Sequence, residues 1–175
     1  ANSKGISIIG DMPIYVAHDS MDVWRAPEQF LLDENYNPKL VAGCPPDAYS
    51  EDGQLWGNPI YNWDIMKIEN FAWWVDRVGK SFALYDLLRI DHFRGFASFY
   101  AIPASDNTAL NGEWLDAPGK ELFDTLREAY PDGKIIAEDL GFITDDVREL
   151  LEYTDFPGMK VIQFAFYGED SEYLP

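Results

Sequence analysis

The chain has 175 residues, of which 47% are hydrophobic and 15% aromatic, so we expect one domain with a hydrophobic core rather than a disordered tail. Acidic residues number 31 against 13 basic ones, which gives a formal charge of -18 at pH 7. A field of that sign repels phosphate backbones and anionic membranes, so it argues against nucleic-acid and membrane partners and leaves a neutral substrate. The single cysteine excludes an internal disulfide and favours a reducing, cytoplasmic location.

Apolar, β-branched runs alternate along the chain with stretches of helical periodicity. The runs predict strands near 6–10, 87–91, 134–138 and 159–165. Helices are predicted over about 70–84 and 121–130, and from Thr144 onward. This alternation predicts an α/β fold whose strands are parallel and adjacent in chain order, compatible with half of a (β/α)₈ barrel or with a small open sheet.

Two stretches lack a clear period. Residues 20–66 are rich in proline and aromatic residues and are predicted to form a long functional loop or small subdomain inserted after the first strand. Residues 101–119 are predicted to form a loop because proline, asparagine and glycine recur there.

Three carboxylates close three of the predicted strands: Asp11, Asp91 and Glu138. The carboxyl ends of parallel strands share one edge of a sheet, where the active residues of α/β folds gather. Two nearby acids in different states of protonation suit acid/base chemistry. The alternative is that these acids only end strands, since aspartate commonly starts turns. Arg89 lies two residues before Asp91, on the same strand face, where its charge would keep Asp91 ionised. The alternative is an ordinary ion pair.

His92 follows Asp91 and is interpreted as a ligand contact, with a structural histidine as the alternative. Neither histidine has a partner at metal-ligand spacing, so we expect no metal, and no cofactor motif is present. Two carboxylates in different roles, beside aromatic residues in a long loop, favour glycoside chemistry, because sugars present apolar faces and neutral hydroxyls.

Five segments, taken in chain order, resemble the amylomaltases, the 4-α-glucanotransferases or disproportionating enzymes of the α-amylase clan. Their nucleophile motif is similar to RIDHFRGF at 89–96, and their acid/base motif is similar to AEDLG at 137–141. Segments 10–24, 42–61 and 157–166 resemble the region after their third barrel strand, their active-site loop and their sixth strand.

The resemblance implies that residues 1–175 are a fragment of one (β/α)₈ catalytic domain, about strands three to six, with 20–66 as the inserted active-site loop. It implies a retaining transfer of α-1,4-glucan segments between maltooligosaccharides, with Asp91 as nucleophile and Glu138 as acid/base. The residues expected to bind substrate, from the resemblance and from their positions, are Asp11, Arg89, His92, Asp47, Tyr49, Trp56, Asn58 and Phe164.

Two departures from the family pattern leave alternatives open. The aromatic pair expected after Pro-Pro-Asp is Ala48 and Tyr49 here, and the family's third catalytic aspartate has no counterpart after Phe166. A glucan-binding fragment without turnover, or a retaining α-glucan hydrolase of the same clan, are therefore the alternative functions. We also expect the isolated fragment to be inactive and to self-associate through exposed barrel edges.

Overall fold

The structure is a computed structural model that describes residues 1–47, 50–141 and 143–167. The described residues form seven strands: β1 (Ile9–Met12), β2 (Leu40–Cys44), β3 (Gln54–Pro59), β4 (Leu87–Ile90), β5 (Ser98–Pro103), β6 (Glu113–Asp116) and β7 (Ile135–Ala137). They also form five α-helices: α1 (Met21–Arg25), α2 (Trp63–Ile68), α3 (Ala72–Phe82), α4 (Gly119–Ala129) and α5 (Asp145–Thr154). Short 3-10 helices lie at Asn2–Lys4, Pro27–Gln29, Phe93–Phe96 and Ile162–Tyr167.

A parallel sheet of three strands carries the carboxylates. Its order is β1-β4-β7, which confirms the predicted parallel, adjacent arrangement of these three strands. Asp11 lies opposite Arg89 in the register. Leu88 and Ile90, on the other face of β4, are fully buried in one hydrophobic cluster with residues of α3 and α4. Successive side chains of a strand point to opposite faces, so burying Leu88 and Ile90 places Arg89 on the face opposite the helices.

The fourth predicted strand, at 159–165, is wrong. Backbone pairing begins there, since the Ala137 N–H donates to the Pro157 carbonyl at 2.9 Å, but the chain then turns into the 3-10 helix Ile162–Tyr167. Ile162 and Phe166 are mostly exposed. An apolar run predicts burial but not conformation, and among the described residues this run does not pair as a strand.

A second, antiparallel sheet has the order β3-β2-β5-β6. Its strands β2 and β3 lie within 20–66, the stretch without a clear sequence period. The prediction that 101–119 is a loop is wrong, because β6 and part of β5 lie there. The central pair joins Leu40 to Pro103 and Gly43 to Tyr100. At Gly43 a Cβ would collide with the Gln54 carbonyl oxygen, so only glycine allows β2 and β3 to approach so closely.

The core is rich in aromatic rings and lies directly behind the ends of the parallel strands. Trp74 of α3 contacts Phe96 edge-on with ring centroids 5.2 Å apart, and Phe93 stacks on Phe123 of α4 at 5.4 Å. All four rings are almost completely buried. This packing anchors the turn Phe93–Phe96, which begins two residues after Asp91, and so holds the site against both helices.

Candidate active site

Asp91 and Glu138 follow β4 and β7 directly, at neighbouring strand ends. The Asp91 N–H donates to the Met12 carbonyl at 2.9 Å, and the Glu138 N–H donates to the Ile90 carbonyl at 3.0 Å. The Phe93 N–H donates in turn to the Glu138 carbonyl at 3.1 Å. Backbone bonds therefore tie the turn after Asp91 to Glu138.

Arg89 binds two carboxylates at once. Its Nη1 atom lies 2.6 Å from Asp11 Oδ1 and 3.0 Å from Asp91 Oδ1, while its Nε donates to the Met159 sulfur at 3.1 Å. Burial opposes the charge of Arg89, but the hydrogen bonds and charges of Asp11 and Asp91 raise its pKa above the ordinary value. The Arg89 guanidinium thus holds the Asp91 side chain by a charge-assisted hydrogen bond.

Both carboxyl oxygens of Glu138 accept backbone N–H groups. Oε2 accepts from His92 at 2.8 Å and Oε1 from Leu140 at 2.9 Å. His92 has a φ of 52°, in the left-handed region, which a residue other than glycine adopts at a cost of about 1–3 kcal/mol. The left-handed backbone at His92 thus directs its N–H group toward the Glu138 carboxyl group.

The His92 imidazole is neutral at pH 7. Burial lowers its pKa to about 4, the Arg94 charge acts in the same direction, and Asp91 opposes both. Trp56 of β3 meets the imidazole edge-on, with ring centroids 4.9 Å apart. A neutral imidazole carries one donor and one acceptor nitrogen, which suits contact with hydroxyl groups.

A cleft of about 290 Å³ joins these groups and is lined by Pro13, Ile14, Tyr15, Trp56, Asn58, Asp91, His92 and Glu138. Trp56 is 37% exposed, and its indole N–H donates to Gln54 Oε1 at 3.0 Å. A larger hollow of about 560 Å³ is lined by other residues, including His18, Trp24 and Tyr36. The smaller cleft is the one that contains the strand-end carboxylates Asp91 and Glu138, and the rings of Tyr15 and Trp56 lie beside them.

Four of the predicted binding residues are not among the described residues that line the cleft: Asp11, Arg89, Asp47 and Phe164. A fifth, Asn58, lines the cleft but donates a hydrogen bond to the protein backbone, from its Nδ2 to the Val16 carbonyl at 2.9 Å. Asp11 and Arg89 lie beside Asp91. Asp47 Oδ1 accepts the Ser50 N–H at 2.8 Å within a turn, and Phe164 lies in the 3-10 helix Ile162–Tyr167.

Tyr49 lies outside the described residues. Sequence reasoning also missed the segment Pro13–Tyr15, which lines the cleft. Tyr15 is buried, which raises its pKa above the ordinary value, and its ring contacts Trp56 at 6.3 Å. The signal was available, since this segment follows β1 at the same sheet edge as Asp91.

Comparisons with known proteins agree along the whole chain. The profile of a family described as 4-alpha-glucanotransferase matches residues 1–175. The 4-alpha-glucanotransferase of Clostridium butyricum is 55% identical over 177 residues, which cover 100% of this chain and 36% of that protein. The chloroplastic/amyloplastic 4-alpha-glucanotransferase of Solanum tuberosum is 54% identical over 172 residues, covering 98% of this chain and 30% of that protein.

Among solved structures, the amylomaltase from Streptococcus agalactiae in complex with acarbose has a TM-score of 0.93 and 51% identity. The match covers 98% of this chain and 34% of that one. The chain therefore spans about a third of the length of the relatives it matches. Within the described residues, no helix has the length and apolar character needed to cross a membrane.

Proposed function

Because the chain belongs to the 4-alpha-glucanotransferase family, we propose that it supplies the nucleophile and the acid/base of a retaining transfer of α-1,4-glucan segments between maltodextrins. The family match confirms the resemblance read from the five sequence segments. The observation that carries the mechanism is the pairing of Asp91 and Glu138 on neighbouring strand ends beside one cleft. Neighbouring strands lie about 4.8 Å apart, close to the roughly 5–5.5 Å that separates the carboxyl groups of retaining enzymes.

In the first step Asp91 attacks the anomeric carbon of the donor glucan. The bond to the leaving oxygen breaks as the bond to the Asp91 carboxylate forms, and Glu138 delivers its proton to that oxygen. Arg89 orients the Asp91 side chain, because it binds one of its oxygens at 3.0 Å. The product of this step is a covalent glucosyl-enzyme.

In the second step Glu138 acts as the base. It removes the proton from the 4-hydroxyl of an acceptor glucan, whose oxygen attacks the glucosyl carbon and releases Asp91. Transfer exceeds hydrolysis only where the acceptor binds well and water is kept away. Trp56, with an exposed ring face beside His92, is suited to stack against a sugar ring, and His92 is suited to bind hydroxyl groups.

The wider architecture is also part of the proposal. We propose that residues 1–175 form part of a (β/α)₈ domain, that β1, β4 and β7 belong to its wall, and that 20–66 is an insertion beside the site. Inactivity of the isolated fragment and self-association through the open sheet edges stay predictions. The cytoplasmic location also stays a prediction, and the Solanum tuberosum relative is a chloroplastic/amyloplastic protein.

The experiment compares Asp91→Asn and Glu138→Gln in the full-length polypeptide that carries this segment, with Asp76→Asn and Glu149→Gln as surface controls. Asp91→Asn should abolish transfer from maltotriose, because an amide is a poor nucleophile. Glu138→Gln should lose transfer from maltotriose but keep the first step with α-glucosyl fluoride, whose leaving group needs little protonation. Both controls should retain activity.

Product analysis on maltotriose separates the alternatives. Longer glucans plus glucose indicate a transferase, shorter sugars alone indicate the hydrolase, and unchanged maltotriose that still binds indicates the binding fragment. Peptide mass mapping of a trapped glucosyl adduct tests the roles directly. An adduct on Glu138, or on any residue except Asp91, contradicts the assignment.

A further inference from the structure

The cleft wall Pro13–Tyr15 and the following residue, Val16, belong to no helix or strand. Side chains from distant parts of the chain bind carbonyl groups of this segment. Arg77 of α3 donates from Nη2 to the Pro13 carbonyl at 2.7 Å and from Nη1 to the Ile14 carbonyl at 3.1 Å. Asn58 donates to the Val16 carbonyl at 2.9 Å. Side chains of α3 and β3 thus hold the backbone of this segment in place.

The Arg77 guanidinium is itself held firmly. It lies over the rings of Trp73 and Trp74, with its central carbon 5.4 and 5.1 Å from the two ring centroids. Its Nη1 also donates to the Tyr61 hydroxyl at 3.3 Å, and that hydroxyl donates to the Ile14 carbonyl at 2.6 Å. Two helical tryptophans and a buried tyrosine therefore fix the planar fork against two successive carbonyls.

Aromatic contacts extend this arrangement into the cleft. Tyr61 stacks on Tyr15 with centroids 5.9 Å apart and planes at 22°. Tyr15 contacts Trp56 at 6.3 Å, and Trp56 meets His92 at 4.9 Å. A shift of the wall at Ile14 or Tyr15 would move the supporting face of Trp56, since packed side chains leave little free space.

We propose that Arg77, on the helix behind the cleft, is a positioning residue that sets the affinity for the glucan by fixing the wall Pro13–Tyr15 and, through Tyr15, the ring of Trp56. That the ligand is a glucan rests on the proposed function, whereas the positioning role of Arg77 rests on the contacts described above. Lysine cannot replace Arg77, because it lacks the planar fork that binds two carbonyls and stacks on aromatic rings.

The test uses Arg77→Met and Arg77→Lys in the full-length polypeptide, with Arg148→Met, an exposed arginine on α5, as the matched control. We expect KM for maltotriose to rise about tenfold in both Arg77 variants while kcat stays within about threefold, as for lost binding contacts. Arg148→Met should change neither constant. Loss of folded protein alone would lower the apparent kcat and leave KM unchanged, and that result would overturn the proposal.

A second readout needs no turnover. In protein labelled with 5-fluorotryptophan, the ¹⁹F resonance of Trp56, assigned from Trp56→Phe, should shift or broaden in the Arg77 variants and not in Arg148→Met. An unchanged Trp56 resonance overturns the positioning role, whether or not the protein converts maltotriose. If Arg77→Met does not fold, Tyr61→Phe serves as a second variant, because it removes one donor to the Ile14 carbonyl and keeps the ring. It should shift the Trp56 resonance by a smaller amount. An unchanged resonance in Tyr61→Phe would then overturn the proposal.

Discussion

Replacing His92 by asparagine should remove a pH dependence of stability that the structure builds into the site. Burial lowers the pKa of His92 to about 4 in the folded chain, against 6.5 for an ordinary histidine. Between these two values the unfolded chain takes up a proton that the folded chain does not. The free energy of unfolding therefore falls as the pH falls, by about 1.4 kcal/mol per pH unit and by about 3 kcal/mol in all.

Urea or thermal unfolding of the full-length polypeptide between pH 4 and pH 7.5 measures this dependence. Asparagine is a suitable replacement because it tolerates the left-handed backbone that His92 adopts, with φ at 52°. His18→Asn is the matched control, since His18 is exposed and its Nε2 contacts only the Tyr36 carbonyl among the bonds described. The decrease in the free energy of unfolding between pH 7.5 and pH 4 should be smaller in His92→Asn than in His18→Asn.

NMR titration of the His92 ring protons checks the cause. The resonance absent from the His92→Asn spectrum should not titrate until the pH approaches about 4. A folded-state titration near 6.5, or the same pH dependence of stability in His92→Asn and the unmodified protein, would refute the reasoning.

Three further changes test other contacts. Trp74→Ala should lower the free energy of unfolding by about 3–5 kcal/mol, because the ring is fully buried; a urea-denaturation loss below about 1 kcal/mol would contradict this. Gly119→Ala should cost about 1–3 kcal/mol in the same assay, because its Cβ would collide with the Phe96 carbonyl oxygen. Asp11→Asn should change the free energy of unfolding by less than about 1 kcal/mol, because the Asp11 side chain is 65% exposed. The same variant should reduce kcat several-fold, because Arg89 loses one of its two carboxylate partners. Unchanged initial rates would contradict the predicted effect on kcat.

Local sequence determined the elements that carry the candidate catalytic pair. The strands β4 and β7 and the helices α3, α4 and α5 follow from periodicity that a window of about ten residues contains. The first strand is predicted at 6–10 but runs from Ile9 to Met12, so Asp11 lies within it rather than after it. Asp91 and Glu138 could be placed at neighbouring strand ends because parallel strands share one carboxyl edge. The Arg89–Asp91 ion pair could be expected because a spacing of two residues puts both side chains on one strand face.

Only the tertiary structure decided what surrounds that pair. The antiparallel sheet depends on pairing Leu40 with Pro103, and the cleft wall depends on Arg77 binding the Pro13 carbonyl, 64 residues away. The false strand at 159–165 has the same origin, since an apolar run becomes a strand only where a neighbouring edge accepts it. Such contacts join groups far apart in the chain, and a local pattern carries no information about which distant donor or edge will meet it.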